Sequence, residues 1–275
     1  MTGSDTASAL QQWLESPRGQ FFHARQLRLL ERMLAAWPRR GRSLLQIGCG
    51  IGQFLDVFWQ AGFDVTGVEH SPALLAASRA RLGSRVDLHL AAFDHLPFAD
   101  REFEYVVLTG CPPTQEHLAE AMRVASRGAL IAFCNRWSLA GAVSLVRRRA
   151  MYFPPSAHTS CFWPVLRRLR ALARERAAMK AGNAVTTHPW AITQRSMLLG
   201  PPQSWVERKP WSLLNDWPCL LPVGAWHVIR LDLAPAAGMT PLVQLAKDKL
   251  APLRTSSCAS FSGKPSCLTR TPSCF

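Results

Sequence analysis

The sequence predicts a doubly wound α/β domain with a mostly parallel sheet, and three observations carry that expectation. A short apolar run, Leu44-Leu45-Gln46-Ile47, meets Gly48-Cys49-Gly50-Ile51-Gly52 and passes straight into the helical pattern Phe54, Leu55, Val57 and Phe58. A second strand, Asp64-Val65-Thr66-Gly67-Val68-Glu69, ends in a carboxylate and is followed by His70-Ser71-Pro72, a helix start. From 43 to 135 apolar strand patterns alternate with helical ones. Such alternation means parallel strands joined by right-handed crossovers, with ligands bound at the strands' carboxyl ends.

Two helices are expected first, over 7–16 with Leu10, Trp13 and Leu14, and over 22–37 with Leu27, Leu29, Leu30, Met33 and Leu34. Pro17-Arg18-Gly19 reads as the break between them, and Pro38 with Arg39-Arg40-Gly41-Arg42 as the second stop. Strands are expected at 43–48, 64–69, 85–91, 104–109 and 129–134, and helices near 51–61, 71–82 and 114–126. Gly48, Glu69, Asp94 and the turn Thr109-Gly110-Cys111 then fall along one edge of the sheet. A strand, a glycine turn and a helix N-terminus bring backbone close to a polar ligand, since glycine has no Cβ in the way. A nicotinamide site would want Gly-x-Gly-x-x-Gly, which requires glycine at position 53, where this chain has Gln53.

The order glycine turn, strand-end acid, then Phe93-Asp94-His95-Leu96-Pro97-Phe98-Ala99-Asp100-Arg101-Glu102-Phe103-Glu104 resembles the class I S-adenosylmethionine (SAM) dependent methyltransferases, over 43–135. The resemblance implies a Rossmann-like methyltransferase fold whose cofactor is SAM. It implies that Gly48, Gly50 and Gly52 line the methionine and ribose, that Glu69 holds the ribose hydroxyls and that Asp94 accepts from the adenine amino group. Gln46, Cys49, His70, His95 and Thr109 join that set, with Ile51 and Leu96 as walls. At Gln46 the family usually carries an acid, so this chain lacks a negative charge near the cationic cofactor. In related enzymes N-terminal segments cover the SAM pocket; a core-packing helix pair is the other reading of 7–37.

Methyl transfer is an in-line displacement that needs positioning more than acid–base machinery. No catalytic residue therefore stands out; His117 is a candidate base, set against a merely hydrogen-bonded histidine. Gly110-Cys111-Pro112-Pro113-Thr114 lies where amino-methylating nucleic-acid enzymes carry Asn or Asp, two prolines and an aromatic residue. Cys111 and Thr114 replace both functional positions.

The chain has 275 residues and a net charge of +14. Residues 1–135 hold 13 basic and 13 acidic side chains, so the remaining 19 of 32 basic and 5 of 18 acidic ones carry the whole excess. The charge gathers in an expected helix-rich insertion over about 137–191, with Arg147-Arg148-Arg149 and Arg167, Arg168, Arg170, Arg174 and Arg176. Such an amphipathic patch suits an anionic surface or phosphates, or one solvated face of a docked helix. Closing antiparallel strands are expected within 200–233, at Gly200–Lys209 and Gly224–Leu233. A single SAM-binding domain over 1–250 is expected, its cofactor half being 1–136. From 251 to 275 the composition of Ser, Thr, Pro and Cys, with Pro-Ser-Cys twice, reads as a disordered tail.

Eight cysteines occur without a CxxC pair, so no metal site is expected. No apolar run reaches the length of a membrane span and no leader pattern opens the chain, so a cytoplasmic protein is the expectation. Three functions stay open: a methyltransferase for a small, lipophilic acceptor, an RNA-modifying methyltransferase using the basic half, and a non-catalytic SAM-binding relative. Weak, salt-sensitive contact of the basic half with RNA or an anionic surface is expected of the first.

Overall fold

The computed structural model describes residues 3–147, 153–155, 157–180, 191–207 and 211–233. The chain divides into one compact unit over 1–236 and a second over 237–275; the second, and with it the expected tail, lies outside the described residues.

Helices α1 (Gly3–Glu15) and α2 (Pro17–Leu34) open the fold. Pro17 starts α2 rather than breaking the chain. Its missing N–H costs nothing in a first turn, and the Ser16 hydroxyl accepts from the Gly19 N–H at 3.1 Å. There follow β1 (Arg42–Ile47), α3 (Leu55–Gln60), β2 (Phe63–Glu69), α4 (Pro72–Leu82), β3 (Asp87–Leu90), β4 (Phe103–Leu108), α5 (Gln115–Val124) and β5 (Ala125–Asn135). Each expected strand of this half is present, shifted by a few residues at most. The one exception is β5, which starts four residues early. The remaining elements are α6 (Leu139–Arg147), β6 (Thr159–Ser160), α7 (Phe162–Lys180), β7 (Ala191–Met197), α8 (Trp211–Asp216) and β8 (Trp226–Asp232).

The sheet runs β3-β2-β1-β4-β5-β8-β7, with β6 paired to β5 beside it. The first five strands are parallel; β8 lies antiparallel to β5, and β7 antiparallel to β8. Side-chain alternation along the strands fills two cores. Leu44, Tyr105, Val107, Leu130, Ala132 and Val228 face α2 and α3 through Phe22, Leu29, Leu30, Leu55 and Phe58. Leu45, Ile47, Val106, Leu108, Ile131 and Ile229 face α5 and α7 through Leu118, Met122, Val165, Leu166 and Leu169. Period-two burial on both faces is what a doubly wound sheet requires.

The first closing strand is not where the sequence suggested. Residues 200–207 form a turn with a short 3-10 segment, Pro202–Ser204, that buries Trp205; the strand is β7, at 191–197. Pro201 and Pro202 have no N–H for a ladder. β7, at the edge of the sheet, shows little apolar alternation to betray it. The second closing strand, β8, falls inside its expected range.

The basic patch is also less uniform than its sequence. Within α7, the Arg176 guanidinium donates to the carbonyls of Met122 and Ala125, and Arg168 donates to the Pro113 carbonyl at 3.2 Å. Those two pin the helix to α5 and its preceding turn, while Arg167, Arg170 and Arg174 are exposed. Arg148 and Arg149 lie outside the described residues.

Candidate active site

Parallel strands end together, so the turns after β1, β2, β3 and β4 converge at one edge. Gly48 sits where the β1 and β4 turns touch. A Cβ there would lie 2.0 Å from the Thr109 carbonyl oxygen, and its φ is +74°. Gly50 has φ +60°, and its N–H donates to Glu69 Oε2 at 2.8 Å. Gly52 closes the turn, donating its N–H to the Cys49 carbonyl at 3.0 Å.

Glu69 is buried, and its other oxygen accepts from the N–H groups of His70 and Ser71 at 3.0 and 3.3 Å and lies 2.8 Å from His70 Nδ1. The carboxylate therefore ties the glycine turn to the start of α4. At the ends of β1 and β4, Gln46 Nε2 donates to Thr109 Oγ1 at 2.7 Å, and Thr109 in turn reaches the Gly48 carbonyl at 3.4 Å. Gln46 is fully buried and its Oε1 has no partner. A buried acceptor left without a donor costs free energy, so this oxygen is poised for one.

Cys49 lies inside the glycine turn. Its N–H donates to Val68, its carbonyl accepts from Gly52, and its thiol is buried. Burial, with Glu69 nearby, pushes that thiol up to about 12, which rules out a thiolate role at neutral pH.

The loop after β3 carries Asp94 and His95, both exposed, between buried Phe93 and Leu96. The Phe93 ring packs edge-on against His70 and against His117, at 4.9 and 5.7 Å between centroids. Arg123 of α5 holds this loop, donating to the carbonyls of Leu96 and Phe98 and pairing with Glu120 and Asp100. Glu120 completes the clamp by accepting from the Leu96 N–H at 2.9 Å. These bonds raise the Arg123 pKa and lower that of Glu120. The sequence reading missed this pair; its only signal was the i, i+3 spacing.

His117 lies at the start of α5. Thr114 caps that helix by accepting the His117 N–H at 3.3 Å, and His117 Nδ1 lies 2.7 Å from the Pro112 carbonyl. Thr114 thus has a structural job where nucleic-acid enzymes carry an aromatic residue. A cavity opens beside the glycine turn. Its walls include Leu10, Trp13 and Leu14 of α1, Gln53 and Phe54, Gly110 and Cys111, and Trp226 of β8. Leu10 also packs on Ile51 and Leu74, so α1 covers the glycine turn while α2 belongs to the core. His158, not His117, lines this cavity. Burial and the neighbouring His70 and His117 lower its pKa, which keeps the imidazole neutral.

Residues 45–133 match the family model described as a methyltransferase domain. That span runs from β1 to β5 and includes every element of the site edge. Over these residues the chain is similar to the methyltransferase domain family. It is 32% identical over 111 residues to the malonyl-[acyl-carrier protein] O-methyltransferase of Pectobacterium atrosepticum, covering 38% of this chain and 43% of that relative. The chain thus spans less than half the length of the curated relative it matches. A SAM-dependent methyltransferase structure from Thermotoga maritima superposes with a TM-score of 0.59 at 18% identity, covering 84% of this chain and 98% of that one. A chain from the complex of the Haloferax volcanii Trm112 methyltransferase activator with a methyltransferase gives 0.54 at 13% identity, covering 82% and 97%. At those identities the two structures speak for the fold alone. The family's cofactor is SAM. Among the described residues no group of His, Cys, Asp and Glu is arranged to hold a metal, and no helix is long and apolar enough to cross a membrane.

Proposed function

We propose that the protein transfers a methyl group from SAM to a small, lipophilic acceptor held in the cavity beside the glycine turn. The residues present fit the cofactor on two observations. The orphaned Gln46 Oε1 offers an acceptor for the methionine ammonium group, and Glu69 is a buried carboxylate at the strand end that backbone N–H groups already orient. Gly48, Gly50 and Gly52 would line the methionine and ribose, Glu69 would hold the ribose hydroxyls and Asp94 would take the adenine amino group. Bound there, SAM supplies an electrophilic methyl group on a sulfonium sulfur.

The observation that carries the acceptor reading is the lining of the cavity, dominated by Leu10, Trp13, Phe54, Phe133 and Trp226. Two of its residues have buried polar atoms without partners, Gln53 Oε1 and Trp226 Nε1. An acceptor with one donor and one acceptor group would satisfy both and be oriented by them. The neutral His158 imidazole can accept a proton from a hydroxyl. The curated relative acts, by its name, on a malonyl-[acyl-carrier protein]; a match over 38% of this chain is too short to carry that acceptor across.

The test is incubation with methyl-labelled SAM and separate metabolite, lipid and RNA pools. Label in an organic-extractable product, lost in Trp226→Ala while SAM still binds, is the expected result. Label in tRNA or rRNA would replace this reading with the RNA-modifying one. Binding of SAM with no transfer to any pool would point to a non-catalytic relative.

A further inference from the structure

The second half of the chain holds large apolar side chains in water. Trp137 is 76% exposed, Trp163 62%, Trp217 71%, Leu220 62% and Leu221 63%. Singly exposed apolar residues need no explanation, whereas a connected group does. Four of these, Trp137, Trp163, Leu220 and Leu221, lie together around one loop. Trp137 and Trp163 line one surface cavity together with Pro222, which Leu221 adjoins in the chain. Asn135 Nδ2 donates to the Pro222 carbonyl at 2.7 Å, tying that loop to the end of β5.

The group is also held rigidly outward. Cys219 N–H donates to the Ser196 carbonyl at 2.8 Å, the Ser196 hydroxyl donates to the Leu221 carbonyl at 2.6 Å, and the Gln194 amide donates to the Leu220 carbonyl. The backbone is thus fastened to β7 while the Leu220 and Leu221 side chains stay in solvent.

Charge beside the patch names its partner. On α7 Trp163, Arg167, Arg170 and Arg174 recur at steps of four, three and four, which puts all four exposed residues on one face. The opposite face buries Phe162, Val165, Leu166 and Leu169. Arg136, next to Trp137, is exposed as well. Acidic side chains in this half are few, and three of them are engaged elsewhere. Glu207 and Asp216 pair with Arg25, and Asp232 bonds Trp37 and Arg230.

We infer that this face docks on an anionic phospholipid bilayer, with Trp137, Trp163, Leu220 and Leu221 entering the interface and Arg136, Arg167, Arg170 and Arg174 meeting the head groups. Tryptophan favours that boundary, having one apolar and one hydrogen-bonding edge. Arginines near a lipid surface gain from its negative potential. A second copy of the chain would bring the same arginine stripe against itself. RNA would use the arginines but leave the leucines hydrated. A bilayer satisfies both, and it is where a lipophilic acceptor resides.

The test is co-sedimentation of the full chain with vesicles of phosphatidylcholine alone or mixed equally with phosphatidylglycerol. Binding should be at least about tenfold tighter to the mixed vesicles and should weaken with salt. The double variant Arg167→Glu/Arg170→Glu should lose at least about tenfold on mixed vesicles. Leu220→Ser/Leu221→Ser should lose affinity for them with an unchanged melting temperature. Wild-type chain left in the supernatant with mixed vesicles at low salt would overturn the inference. So would a dimer in solution dissolved by the leucine pair, or tighter binding to a tRNA than to vesicles that ignores the leucine pair. Vesicle binding is read without SAM, so these outcomes stand apart from the catalytic reading.

Discussion

Glu69 is the residue on which the site turns, because one buried carboxylate joins the glycine turn, the β2 end and the α4 start. It is also the most legible residue of the candidate site in the sequence, since a strand-end acid needs no tertiary contact to be placed. Glu69→Ala should weaken SAM binding at least tenfold, about 1.4 kcal/mol, in calorimetry; equal affinity would remove Glu69 from the cofactor. Cys49 also sits within the glycine turn by sequence; its backbone is paired and its thiol buried. His227 could not have been read at all. It alternates with apolar residues on β8, is fully buried between the rings of Phe133 and Phe162, and has no partner at either nitrogen. Burial pushes its pKa down from 6.5 to about 3. The sign follows: above 6.5 neither state binds the proton, while below it the unfolded chain does and the folded one does not. Stability should therefore fall from pH 6.5 toward pH 3, by about 2–3 kcal/mol at pH 4.5 from this residue alone. Denaturant midpoints of wild type and His227→Leu across that range check it. The variant should lose that share of the slope, and parallel curves would refute the assignment.

At the scale of elements, the parallel half was readable because hydrophobic period and turn chemistry agree in each unit. Pro72 stands in the first turn of α4, with Ser71 before it making no side-chain cap bond, and Thr114 caps α5 as the local rule requires. The rest was not, for reasons that particular residues make clear. β7 has little apolar alternation, so its place depends on pairing with β8 and on the bridge from Ser196 to Cys219. Pro17 looked like a break until Ser16 was seen capping the helix it begins. The segment after β7 is anchored by a contact nearly two hundred residues long in sequence, invisible to any local pattern. Arg25 of α2 is buried, with its guanidinium on Glu207 and on Asp216 at the end of α8. Burial opposes the Arg25 charge, but the two carboxylates outweigh it and raise the pKa. Removing a buried partner of such a pair costs about 3–5 kcal/mol. Arg25→Ala should fall at the low end of that range because Glu207 can turn to solvent. Chemical denaturation measures the loss, and a change under about 0.5 kcal/mol would show that α8 needs no such anchor.

The whole molecule joins a cofactor half of zero net charge to a half that carries the entire +14, and the two differ in how they were specified. The glycine turn, the strand-end acid and the acidic loop lie within about fifty residues, so their order alone located one edge of the sheet. The cavity draws walls from α1, the turn after β4, β5 and β8, residues as far apart as Leu10 and Trp226, and no pattern links them. Because the expected SAM contacts come from four strand ends, the bound cofactor should brace the compact unit as a whole. A ligand that binds only the folded state stabilises it by about 2.7 kcal/mol at one hundred times its dissociation constant. For a domain of this size that corresponds to a rise in melting temperature of about 5–10 °C. At the same SAM concentration Glu69→Ala, weakened tenfold, retains about half of that, since its site then sees only ten dissociation constants. Thermal melts of both proteins across a SAM titration give the two curves. The same shift in wild type and variant would mean that the cofactor is held without the strand-end acid, and the absence of any shift in wild type would mean that the folded chain does not take SAM at this edge.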